Sequence, residues 1–264
     1  KLARCAMHTH KPPCGPIRGF GDTQSCTAVE SNMDILADEL EMDPVEVRRR
    51  HAPDVGAVTC TGQTMRESVG LKECIDRVDG DMRAGDFRWA WGEGGKHYAW
   101  GVGLAYKNTG FGGGAPDKST VEVEVWNDPA RGAMAEVRTS AAELGQGLPA
   151  VLAACAAEEL GIPHGRDRVL LGDTDYCPEG GATTASRQSF VSGNAARLAA
   201  QTVARSLAGV AAEGLGAKAE DVRFAGGQVT AGDRAVPLEE VIERAAGTDV
   251  ATCHRYEYWA PKTQ

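Results

Sequence analysis

The sequence predicts an α/β fold of the α+β kind: two lobes, two-layer sandwiches of helices on mixed β-sheets. Three observations carry that expectation. Thr120–Trp126 alternates, with Val121, Val123 and Val125 on one side, and Met134–Thr139 returns after a turn, which makes a β-hairpin. Helix-period apolar patterns recur on both sides of it, the longest being an Ala-rich run over Ser192–Glu213. From Asp79 to Gly95 the chain turns polar, glycine-rich and dotted with tryptophan, which marks a boundary between residues 1–90 and 91–264.

Residues 1–14 read as an extended strand ending at Pro12-Pro13; Cys5, His8 and His10 have a metal-like spacing, but extended alternation without a second ligand cluster favours a plain strand. The glycine loop Gly15–Gly21 follows, then a helix with Val29, Met33, Leu36, Ala37 and Leu40 on one face and Asp22 or Thr23 as its cap. Asp43-Pro44 opens a short helix through Arg50, whose Arg48, Arg49 and Arg50 read as a solvated basic end. Ser68–Val78 is a further amphipathic helix and Trp100–Lys107 a strand. After the hairpin come a helix over Leu148–Leu160 stopped by Gly161, a strand at Arg168–Leu171 and a long loop at Gly172–Gln188. The Ala-rich helix, a hairpin at Val222–Val229, a helix at Pro237–Ala246 and an alternating Val250–Trp259 complete the chain.

A chain of 264 residues with 42% apolar and 25% charged content can bury a real core. A net charge of −9 argues against a nucleic-acid backbone as partner. No apolar run approaches the roughly 20 residues of a membrane helix, and nothing at the start reads as a signal peptide. The eight cysteines are scattered, without a C-x-x-C pair, and read as free thiols of a reducing cytoplasm. The opening Lys1-Leu2-Ala3-Arg4 and the ending at Gln264 both suggest a piece of a longer polypeptide.

Three glycine-punctuated loops carry the candidate chemistry and look like walls of one site. Ser140–Gly147, S-A-A-E-L-G-Q-G, places a glycine turn and the Gln146 amide at the mouth of a helix, a seat for an anionic or polar ligand. Thr183–Gln188 adds hydroxyls, an amide and the Arg187 cation. Gly15–Gly21 presents Arg18 and the Phe20 ring, which suit a flat polar ligand. Each has a structural alternative: a capping turn, a solvated loop, or Phe20 in the core with Arg18 capping a helix. Thr109–Gly114 lacks the Lys-Ser/Thr of a P-loop and precedes no helix, so it is set aside as a nucleotide motif. Asp173 and Asp175 read as an acidic turn.

In order along the chain, these motifs resemble a known family. G-P-I-R-G-F-G with Gln24, then Glu30, Met33 and Asp34, Asp43-Pro44-Val45-Glu46-Val47-Arg48, Glu143–Gly147, Ala157–Pro163, Asp173-Thr174-Asp175, Thr184–Gln188 and Gly193-Asn194-Ala195 together resemble the molybdenum-binding subunit of the xanthine dehydrogenase and aldehyde oxidase family. The resemblance implies a molybdopterin-binding fold and a molybdenum pterin, in its cytosine dinucleotide form, held by loops of both lobes. It implies cofactor contacts at Ile17, Arg18, Glu143, Gly145, Gln146, Gly147, Thr184, Ala185, Ser186, Arg187 and Gln188. It also implies a substrate pocket at Arg18 and Phe20, with no metal ligand from the protein. The implied reaction hydroxylates an aldehyde or an N-heterocycle with oxygen from water. The implied partners are 2Fe-2S and FAD-binding subunits or domains and the rest of the molybdenum subunit. The family's general-base Glu, in a G-V-G-E-type motif, has no counterpart here, and Glu93 and Glu143 are not substitutes. A non-catalytic remnant or assembly module of the same fold is the alternative.

Overall fold

In a computed structural model the chain divides into two compact units, 1–107 and 108–264. Residues 7–12, 17–84, 100–107 and 109–262 are described. The expected boundary at residues 90 and 91 lies outside them, as do Cys5, Cys14, Gly15, Pro16 and Glu93.

The described part of the first unit is helical: α1 (Asp22–Glu39), α2 (Pro44–His51) and α3 (Leu71–Ala84), with an isolated bridge between Val58 and Thr64. The extended reading fails for residues 7–12, which form no strand. The N-cap of α1 is Gly21 at φ +95° rather than Asp22 or Thr23. Of the apolar face expected on α1 only Ala37 is buried, and Val29, Leu36 and Leu40 are exposed. Asp43 caps α2 as expected, accepting from the backbone N–H of Val45 at 2.8 Å and of Glu46 at 3.2 Å.

The basic run of α2 is a solvated end at Arg50 but not at Arg48. Arg48 is 1% exposed and donates through Nε to Glu30 at 2.6 Å and through Nη1 to the Pro44 carbonyl at 3.1 Å. Its Nη2 bonds the Glu30 carbonyl and pairs with Asp34 at 2.8 Å, tying α2 to α1. Arg49 and Arg50 are likewise paired with acidic neighbours. Trp100–Lys107 is not a strand; Leu104 N–H donates to Glu30 at 3.0 Å, and Val102 and Leu104 pack on Val45, Ala52 and Ile75.

The second unit is a two-layer sandwich. β1 (Lys118–Asp128), β2 (Gly132–Thr139), β3 (Asp167–Leu171) and β7 (Cys253–Trp259) form a mixed sheet in the order β3-β2-β1-β7, with β2 and β3 parallel. The smaller antiparallel sheet is β4 (Arg223–Ala225), β5 (Gln228–Ala231) and β6 (Arg234–Pro237), whose third strand the sequence does not signal. The helices are α4 (Leu148–Leu160), α5 (Gln188–Leu215) and α6 (Leu238–Ala246).

Alternation in β1 and β2 turns Val121, Val123, Val125, Ala133, Ala135 and Val137 toward the helices, all at 2% exposure or less. Burial of each such valine contributes about 1.5 kcal/mol or more. The opposite face carries charge: Arg138 pairs with Glu122, Glu124 and Glu136, and Arg168 with Glu136. The inner face of α5 is small, so it packs closely on the sheet and α4; Ala195, Ala196, Ala199, Ala200 and Ala211 are all at 0% exposure. At Gly161 (φ +63°) α4 ends, and there the β4 backbone comes so close that a Cβ would lie 2.5 Å from Ala225 N.

Candidate functional site

The parallel pair β2 and β3 sends both of its following loops to one end of the sheet. After β2 comes Ser140–Gly147, leading into α4; after β3 comes the long loop 172–187, leading into α5. The two loops are sewn together. Ser140 N–H donates to the Pro178 carbonyl at 2.8 Å, and Gly180 N–H to Ser140 Oγ at 2.7 Å. Ala142 N–H donates to Thr183 Oγ1 at 2.8 Å. A Cβ at Gly180 would collide with Thr139 and lie 2.9 Å from Ala141 N, so only glycine permits this approach.

Within the first loop the helix mouth is filled from inside. Glu143 Oε1 accepts from the backbone N–H of Gly145 at 2.5 Å and of Gly147 at 3.1 Å, and Oε2 from that of Leu148 at 2.6 Å. The seat expected for an external anion is therefore taken by the loop's own carboxylate, which caps α4. Burial pushes this carboxyl up, but the N–H groups of Gly147, Leu148, Gly145 and Gln146 outweigh it and hold the group below its usual range. Gln146 also braces the turn: Oε1 accepts from Leu144 N–H at 2.5 Å and Nε2 donates to the Ala142 carbonyl at 2.9 Å. Gly145 (φ +93°) and Gly147 (φ +76°) stay exposed on the rim, and no heavy atom lies within 4 Å of a Cβ built on Gly147.

In the second loop Ala185 and Ser186 both hold left-handed backbone, at φ +51° and +52°. Two adjacent non-glycine residues there are unusual, and such strain persists only where the surroundings enforce it. Gly110 N–H donates to the Ala185 carbonyl at 2.9 Å. Ser186 is exposed at the tip and Thr184 is half-buried beside it. Gln188 turns inward, donating to Thr183 Oγ1 at 3.0 Å and to the Ala182 carbonyl at 3.3 Å, and accepting from Ser192. Arg187 is fully buried. Its Nε donates to Asp117 at 2.5 Å, and its other nitrogens to the carbonyls of Gly180, Ala182 and Lys118. The cation expected to face a ligand instead points into the protein.

In the first unit the described part of the glycine loop is a tight turn. Phe20 N–H donates to the Ile17 carbonyl at 2.8 Å and Asp22 N–H to that of Gly19 at 2.9 Å. Ile17 is 72% and Phe20 65% exposed, so Phe20 is not the core residue of the structural alternative. Arg18 is exposed on the same turn.

Two family models match the chain, both described as molybdopterin cofactor-binding domain, one over residues 76–264 and the other over residues 2–52. The chain belongs to this family. It is 34% identical over 205 residues to the putative xanthine dehydrogenase molybdenum-binding subunit XdhA of Escherichia coli, a match covering 73% of this chain and 26% of that protein. It is 31% identical to the aldehyde oxidoreductase of Megalodesulfovibrio gigas, over 71% of this chain and 20% of that one. The solved quinoline 2-oxidoreductase of Pseudomonas putida 86 superposes with a TM-score of 0.63 and 26% identity, over 91% of this chain and 33% of that one. These relatives are oxidoreductases of the xanthine dehydrogenase and aldehyde oxidoreductase type. The chain spans about a quarter of the length of the curated XdhA relative.

Within the molybdopterin-binding second unit, then, the structure brings Glu143, Gly145, Gln146, Gly147, Thr184, Ala185, Ser186, Arg187 and Gln188 to one end of the sheet. Ile17, Arg18 and Phe20 lie in the other unit, on their own turn. Sequence reasoning gave no part to Glu179, Gly180 or Asp117, which link or hold the loops, and named Ser140 only as the start of the first. Asp117 carries no signal in its spacing, because its partner is 70 residues away. Asp173 does form the acidic turn, its Oδ1 accepting from Asp175 N–H at 2.9 Å.

Proposed function

We propose that the two joined loops of the second unit hold the molybdopterin of a molybdenum hydroxylase. The observation that carries this reading is their juxtaposition: G-Q-G and T-A-S-R-Q, 37 residues apart between Gly147 and Thr184, meet through Ala142 and Thr183. The rim offers the Ser186 and Thr184 hydroxyls beside the side-chain-free surface of Gly145 and Gly147, which lets a large polar organic ligand approach the turn closely. In this reading molybdenum is carried on the pterin's own sulfurs. The molybdenum, when bound, supplies the two-electron redox chemistry.

The chain's residues position. Glu143 and Gln146 fix the shape of the first loop, and Gln188 and Arg187 that of the second. On its own turn, Phe20 exposes a ring that can stack on a flat substrate, and Arg18 supplies a cation beside it. The whole protein, in this reading, hydroxylates an aldehyde or an N-heterocycle with oxygen from water and uses the cytosine dinucleotide form of the cofactor. It passes electrons to 2Fe-2S and FAD-binding partners in the cytoplasm, where thiols such as Cys60 and Cys74 stay reduced. The general base comes from outside this stretch.

Metal analysis of the complete protein, with the pterin identified after oxidative release, tests the reading. Molybdenum and a cytosine-bearing pterin in near-equal amounts are expected. A complete, folded protein carrying neither, from cells that make the cofactor, would overturn it.

A further inference from the structure

We infer that Asp117 and Arg187 are a positioning pair, which fixes the tip of the cofactor loop without touching the cofactor. This rests on the reading that the loop holds the cofactor. Arg187 spends its donors on four acceptors, two in the loop (Gly180 and Ala182 carbonyls) and two at the start of β1 (Asp117 carboxylate and Lys118 carbonyl). The guanidinium is the hub around which residues 180–187 wrap. The wrap is tight enough that a Cβ at Gly181 would lie 2.9 Å from the Lys118 carbonyl and 3.0 Å from Arg187 Nη1.

Asp117 is anchored in turn. Its carbonyl accepts from Ala260 N–H at 2.8 Å, just beyond β7, so the pair ties the loop to the edge of the sheet. The glycine loop set aside as a nucleotide motif closes the arrangement. Phe111 lies 5.2 Å from the guanidinium carbon, and with Phe190, Val191 and Pro261 it walls a cavity of about 40 Å³ beside the pair. Gly110 packs against Asp117, a Cβ there coming within 3.1 Å of Oδ2, and its N–H holds the Ala185 carbonyl. The left-handed backbone at Ala185 and Ser186 is thus enforced from both sides. A cation in this motif suggests a phosphate ligand; here its direction and complete burial make it an internal hub.

The test uses the complete protein with Asp117→Asn, and with the double change Asp117→Leu/Arg187→Met. The double variant removes both charges, a replacement that buried pairs often tolerate, but it cannot restore the bonds to the three carbonyls. It is expected to fold, with a thermal midpoint lowered by the loss of those three bonds. Hydrogen exchange at residues 180–186 should speed up at least about tenfold in both variants, the scale of one lost charge-assisted hydrogen bond. Molybdenum and pterin content should fall with it, and Gln146→Ala serves as the reference for cofactor loss. Wild-type exchange in this segment of the folded double variant would overturn the proposal. So would a loosened loop with full cofactor, where Gln146→Ala still loses it. Full cofactor in all three variants, with the loop loosened, would instead overturn the reading of the site, and the proposal with it.

Discussion

At residue scale, Glu143 makes a prediction in pH. Its carboxyl is held below the ordinary 4.5, so its contribution to the turn is fully present above that value and is lost as pH falls through the lower, folded-state value. Hydrogen exchange at residues 144–148, corrected for intrinsic rates, should be flat above pH 4.5 and rise below it. In Glu143→Gln the acid-side rise should disappear; an unchanged rise would show that another group is responsible. Phe20 makes a prediction in specificity. Phe20→Ala should cost aromatic heterocycles about 1 kcal/mol, roughly fivefold in kcat/KM, beyond its effect on small aldehydes. Equal losses for both substrate classes would refute the stacking role.

At element scale, two junctions bear weight. Arg48 binds α2 to α1 through Glu30 and Asp34, and removing one partner of a buried pair costs about 3 kcal/mol or more. Arg48→Leu should therefore lower the denaturant midpoint of the first unit's transition, whereas Arg50→Leu, at an exposed i,i+4 pair, should change it little. Gly161 combines a left-handed φ with the β4 backbone at van der Waals limits, so Gly161→Ala should cost at least about 2 kcal/mol and lower Tm by several degrees.

These junctions also mark where the sequence was legible. α4 is read to the residue, because Gly-Leu-Pro opens it and Gly161-Ile162-Pro163 closes it. The hairpin is read from period-two alternation in its first strand and the turn that follows it. Arg48 is misread because a basic run at a helix end has a sufficient local explanation, and its partners are 18 residues back at Glu30. β6 is missed because Arg234–Pro237 has only four residues, too few to show alternation, and ends in a proline; it gains its place by pairing with β5. At the site, glycine and hydroxyl content located both loops. Which polar groups turn inward was not legible: Arg187 donates to Asp117 across the fold, and Glu143 accepts from the N–H groups of its own turn.

At the scale of the molecule, the second unit carries a continuous apolar core, so the surface proposed to hold the cofactor rests on one sandwich. That sandwich is a sheet with one face buried by helices and the other laced with paired charges, Glu122, Glu136 and Arg138 among them. In the first unit the turn proposed to meet substrate leads into α1, which Arg48 ties to α2. The most direct measurement compares hydrogen exchange of the complete protein with and without its cofactor. The account predicts slower exchange on loading in both 142–148 and 182–188. Exchange unaltered by the cofactor in both segments would contradict it.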